Sequence, residues 1–120
     1  MINRGISTFF IRMKRITEST KAVYDFLCGY GIKTISYAGV GGVICFSFGD
    51  NKVHAQIVKS LNLIRLGYTF GTDRTLIDMC FNPDYPDDWK FYFRLSVGLE
   101  NPEDLIKDLK IAFELVSSGR

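Results

Sequence analysis

From Leu105 onward the apolar residues recur about one helical turn apart. Leu105, Ile106, Leu109, Ala112, Phe113 and Val116 make a single stripe with charged residues between them. Asn101 offers an N-cap oxygen just upstream, Pro102 stands where its missing N–H costs nothing, and Glu103 and Asp104 place negative charge at the positive helix end. A helix beginning at Pro102 is predicted. Before it, Phe91 to Val97 is an apolar, β-rich run broken only by Arg94 and Ser96, and Gly98 can end such a strand. Near the start of the chain Phe9, Met13, Ile16, Thr20, Tyr24 and Leu27 fall three or four apart, which predicts an amphipathic helix stopped by Gly29 and Gly31.

Between these ends the period switches repeatedly. Lys33–Tyr37 and Gly42–Phe48 read as strands, the second alternating and aromatic. Asp50 or Asn51 can cap a helix lined by Val53, Ile57, Val58, Leu61 and Ile64. A further strand starts near Leu66, another spans Leu76–Phe81, and Asn82–Asp88 is a turn-rich acidic loop. The pattern predicts an α+β fold: an antiparallel or mixed sheet of four or five strands, with about three helices mainly on one face.

Composition narrows the class. With 120 residues, 47% of them hydrophobic, residues 1–120 suit one domain with a real core. A net charge of +2 argues against a nucleic acid or an anionic membrane surface as partner. Lys90-Phe-Tyr-Phe-Arg94 has aromatics for an RNA-binding sheet but lacks the glycines of such a strand. Cys28, Cys45 and Cys80 are odd in number and lie in apolar runs, so they read as reduced, buried thiols of a cytoplasmic protein. One histidine and no paired-cysteine motif argue against a zinc site. Polar residues within Ile6–Ile11 argue against a signal peptide or membrane span.

Few residues invite chemistry. Ala38-Gly-Val-Gly-Gly42 lacks the ending of a phosphate loop and reads as a glycine turn that lets two strands approach closely. His54, between polar neighbours, reads as a surface histidine, and Ser19-Thr20-Lys21 lies within a helix. Asp87 and Asp88 read as solvated turn formers. Arg94, a cation inside a strand, reads by itself as one half of an ion pair with an acid such as Asp78 on a neighbouring strand.

Two stretches carry a family resemblance. Arg94-Leu-Ser-Val-Gly-Leu-Glu100 followed by Asn101-Pro-Glu-Asp-Leu-Ile-Lys-Asp-Leu109 resembles the C-terminal end of the trans-sulfuration enzymes. These are the pyridoxal-phosphate (PLP) dependent cystathionine γ-synthases, cystathionine lyases and methionine γ-lyases. Arg4-Gly-Ile-Ser-Thr-Phe-Phe-Ile-Arg-Met-Lys-Arg15 resembles the opening of the helix that leads from the family's large cofactor domain into its small domain. Thr69 to Leu76 is similar to a Ser-x-Gly-Gly-x-Glu-Ser-Leu pattern near the cofactor. Thr69 keeps the hydroxyl and Gly71 one glycine, while Thr72, Arg74 and Thr75 depart from the pattern.

The resemblance implies the small domain of such an enzyme without its PLP-binding large domain. Arg94 would bind the substrate's α-carboxylate, and Thr69 with Tyr68 would lie near the cofactor if a PLP domain were supplied. The Schiff-base lysine and the phosphate cradle come from the large domain in that family, so no catalytic residue and no cofactor are assigned to these residues alone. The implied partners are a PLP-binding large domain or a second copy, and an amino-acid substrate. An uncovered sheet face taken from a larger enzyme is expected to be apolar and to self-associate. The other reading is a self-standing α+β interaction module that dimerises or binds a small carboxylate.

Overall fold

The computed structural model describes residues 3–39, 41–67 and 74–118. Their order is α1 (Asn3–Tyr30), β1 (Thr34–Tyr37), β2 (Val43–Ser47), α2 (Asn51–Ser60), β3 (Arg65–Leu66), β4 (Leu76–Phe81), β5 (Phe91–Ser96) and α3 (Pro102–Ser118). A 3₁₀ turn, Asp87–Trp89, precedes β5. The strands form one mixed sheet in the order β1-β2-β5-β4-β3. Among the described residues β3 runs parallel to its neighbour, and the other pairings are antiparallel. The predicted α+β architecture is thus the observed one.

Helix ends follow local chemistry. Asn101 Oδ1 accepts the Glu103 amide at 2.9 Å, and Asp50 Oδ1 accepts that of Lys52 at 2.9 Å. At the end of α1, Gly31 has φ 103°, and the Gly31 and Ile32 amides reach back to the Cys28 and Leu27 carbonyls. This double reach-back in a left-handed residue is what only glycine allows cheaply.

The helices cover one face of the sheet. Ile44 and Phe46 of β2, Phe93 and Leu95 of β5, and Ile77 of β4 alternate inward and are fully buried. They pack with Val23 and Leu27 of α1, Val53 and Ile57 of α2, and Leu105, Leu109, Ala112, Phe113 and Val116 of α3. On α1 the buried line is Ile16, Thr20, Val23 and Leu27, with Tyr24 moved to the flank, where its ring lies 5.2 Å from that of Tyr37. Buried Thr20 is satisfied by donating to the Ile16 carbonyl at 2.6 Å.

The glycine turn before β2 brings elements close on two sides, α1 on one and the backbone just after β5 on the other. A Cβ on Gly42 would stand 2.8 Å from Ile16 Cγ2 on α1 and 3.1 Å from the Val97 carbonyl oxygen. Gly41, at φ 79°, donates its amide to Thr17 Oγ1 at 3.3 Å. The bare backbone here lets α1 lie directly on the start of β2.

Two readings of the sequence are corrected. His54 is buried, at 1% exposure, because it shares the α2 stripe with Ile57, Val58 and Leu61 at three-, four- and seven-residue spacing. Its Nε2 accepts the Phe48 amide at 2.9 Å, and its ring centroid lies 4.2 Å from that of Phe93. The cysteines are less buried than expected: Cys28 is exposed, and Cys45 and Cys80 are half-buried. Cys28 falls one position past the Leu27 stripe, and the other two sit on the outward side of their strands.

Candidate substrate-carboxylate site on the open sheet face

The side of the sheet away from the helices is formed by the alternate residues of each strand. On central β5 these are Tyr92, Arg94 and Ser96. Arg94 stands opposite Cys45 of β2 and Asp78 of β4, and Tyr92 stands opposite Cys80. With Ser36 beyond Cys45, the row across the sheet reads Ser, Cys, Arg, Asp. This face is therefore mixed and largely polar, which corrects the expectation of an apolar one. Val43, opposite Ser96, is an exposed apolar residue on this face; others lie elsewhere, at Phe10 and Ile11 of α1, Ile111 and Leu115 of α3, and Phe81 at the end of β4.

Arg94 Nη2 lies 3.1 Å from Asp78 Oδ2. The Asp78 side chain is 13% exposed and that of Arg94 32%. Such a pair is screened less than a surface ion pair, while the guanidinium keeps a route to solvent. The two residues are direct partners in the β4–β5 ladder, so the backbone sets their separation. The ion-pair reading of Arg94 is realised in this structure.

Both nearby thiols stay protonated at neutral pH. Burial pushes Cys45 up, against the pull of the Arg94 charge. Burial and then the Asp78 charge push Cys80 up, and its Sγ lies 3.6 Å from Asp78 Oδ2. Neither is an activated nucleophile. Tyr92 is raised too, chiefly by burial. The acidic loop brings Tyr85 and Trp89 against Tyr92, with ring centroids 5.9 and 6.0 Å away. Asp87 and Asp88 are exposed, Asp87 lying 3.0 Å from Lys90 Nζ in solvent.

A second polar cluster ties the turn after β5 to the residue before β4. The Thr75 hydroxyl donates to Glu100 Oε1 at 2.7 Å, and the Thr75 amide donates to the same carboxylate at 3.0 Å. Gly98 in turn donates its amide to Thr75 Oγ1 at 2.9 Å. The Gly-Leu-Glu turn and the hydroxyl that closes the Thr69–Leu76 stretch are thus parts of one junction. On α3, buried Asp108 accepts three backbone amides from the turn after α2: Asn62 at 2.8 Å, and Leu63 and Ile64 at 2.9 Å each. Sequence reading missed this carboxylate. Its one signal was an acid beside Leu109 on the apolar stripe. Thr69 and Tyr68 lie outside the described residues.

The Cys/Met metabolism PLP-dependent enzyme family model matches residues 1–114. The chain belongs to that family. Among curated relatives, the cystathionine β-lyase of Neurospora crassa is 28% identical over 148 aligned positions, covering 99% of this chain and 31% of that protein. The cystathionine γ-synthase of Haemophilus influenzae is 29% identical, covering 92% and 33%. The chain thus spans about a third of the length of these family members. Because the Neurospora alignment is longer than this 120-residue chain, that relative carries residues with no counterpart here.

Solved structures agree on the fold. MetB from Corynebacterium glutamicum superposes with a TM-score of 0.80 at 23% identity, over 94% of this chain and 36% of that one. A putative O-acetylhomoserine (thiol)-lyase from Campylobacter jejuni gives 0.76 at 26% identity, over 92% and 30%, and carries a pyridoxyl-lysine monophosphate. The described residues of this family member do not themselves fit that group. A Schiff-base lysine needs a desolvated setting. Seven of the lysines here are exposed, and Lys90, 40% exposed, is engaged with Asp87. Among the described residues, no three His, Cys, Asp or Glu are placed to hold a metal ion, and no helix is long and apolar enough to cross a membrane.

Proposed function

We propose that this chain is the C-terminal small-domain part of a cytoplasmic PLP-dependent C–S lyase or synthase of sulfur amino-acid metabolism. In this reading Arg94 receives the substrate's α-carboxylate through its planar guanidinium, and Thr69 and Tyr68 lie near the cofactor. The carrying observation is where Arg94 stands: central strand, uncovered face, a third exposed, directly before the turn that Thr75 and Glu100 lock. PLP and its lysine belong to a large domain, supplied by a partner subunit or by a longer polypeptide, and the 120 residues are inactive alone. A second copy is the other partner consistent with this reading.

The test is direct. The purified 120-residue chain should show no PLP absorbance and no cystathionine turnover, and both should appear when a large PLP domain of the family is co-expressed. Arg94→Lys should then weaken substrate use mainly through KM. Turnover by the isolated chain with coenzyme on one of its own lysines would refute the proposal. The Arg94–Asp78 pair supports a second reading, a self-standing module whose arginine is structural. A cooperative melt and a defined dimer mass, with no gain from any PLP domain, would favour it.

A further inference from the structure

We propose that Tyr85, Trp89 and Tyr92 form a binding site for a small quaternary ammonium cation. The observation that carries it is a cluster of three aromatic rings outside the core. The Tyr85 ring centroid lies 5.9 Å from that of Tyr92 with the planes at 34°, and the Trp89 centroid lies 6.0 Å from it at 67°. Among the described residues no ring contact joins Tyr85 to Trp89, so the two flank Tyr92 as inclined walls. Tyr85 is 44% exposed and the other two are half-buried, which leaves aromatic surface facing solvent.

The loop that presents these rings is tied to itself. Asn82 donates its amide to the Lys90 carbonyl at 2.8 Å, Trp89 donates to that of Pro86 at 2.8 Å, and Asn82 Oδ1 accepts the Asp84 amide at 3.0 Å. Pro86 also restricts the backbone of Tyr85 before it. Rings held in this way lose little freedom when a ligand arrives.

Electrostatics sets the ligand class. An aromatic face carries negative charge density and attracts a cation lying within about 6 Å of the ring centroid. The same loop holds Asp84, Asp87 and Asp88, all exposed, against Lys90, which lies 3.0 Å from Asp87. The loop therefore keeps an excess of negative charge. Ring faces accept hydrogen bonds only weakly, so a primary ammonium is better served by water. A cation wrapped in methyl groups gives up little hydration and offers apolar surface to the rings. Nothing in this site depends on the carboxylate reading of Arg94.

Trp89 is the single tryptophan of the chain, so its fluorescence reports on the site directly. Titration with choline should give a saturable change in emission. The neutral isostere 3,3-dimethylbutanol, with the same shape and no charge, should bind about tenfold more weakly. Tyr85→Leu, at an exposed position, should weaken choline by about threefold, while Tyr85→Phe, which keeps the ring, should bind like the wild type. Asp84→Asn combined with Asp88→Asn should weaken choline at low salt, and added salt should close the gap. Equal affinity for choline and the isostere would overturn the cation site and leave an apolar patch. Undiminished affinity in Tyr85→Leu, or no saturable response to choline in either emission or an amide NMR titration, overturns the proposal as well.

Discussion

Asp108→Asn is the most telling stability test, because one carboxylate holds three amides from a segment more than forty residues away in sequence. An asparagine retains a single acceptor oxygen. In its better orientation that oxygen keeps the Leu63 and Ile64 amides, and its NH₂ group then confronts the Asn62 amide, donor against donor. The stranded amide costs about 1–3 kcal/mol, and the two remaining bonds lose their charge assistance. Together the loss is about 3 kcal/mol. Urea unfolding should show a lowered midpoint at unchanged slope, and hydrogen exchange should quicken at residues 62–64. A loss under about 1 kcal/mol would mean that water or a relaxed turn satisfies those amides, and the anchoring argument would fall.

Two more outcomes are expected. His54 is held near pKa 4 by burial, only partly offset by Asp50. Its folded value lies below its unfolded value, so its contribution is complete above pH 6.5 and drains away as the pH falls toward 4, about 3 kcal/mol over that window. Because it is the single histidine, the slope of stability between pH 6.5 and 5 isolates it; His54→Gln should flatten that slope, and an unaltered slope would refute the assignment. Gly42→Ala should destabilise by about 1–3 kcal/mol in thermal or urea melts, since the new methyl meets both Ile16 Cγ2 and an immovable carbonyl; a neutral result would show that α1 can shift.

Much of the architecture was legible because it is local. The Asn101 and Asp50 caps, the Gly31 stop, the stripe from Leu105 to Val116 and the alternation of Gly42–Phe48 all express backbone and side-chain chemistry within a few residues. The family motifs at Arg4–Arg15 and Arg94–Leu109 were readable for the same reason, being contiguous. Where polarity of neighbours was used instead of helical position, the reading failed. His54 sits between Lys52 and Gln56 yet faces the core.

What the amino-acid order determined alone, then, was the elements, their ends, the α+β class and the family motifs, all set by interactions spanning a turn or two. The tertiary structure decided the rest. It chose Asp78 as the partner of Arg94, gave Asp108 its three amides, joined Thr75 to Glu100, and made the open sheet face polar. Each of these depends on strand register or on packing between distant segments. A one-residue slip in β4 would put Asp78 on the helix side and dissolve the pair, and no local pattern encodes that choice.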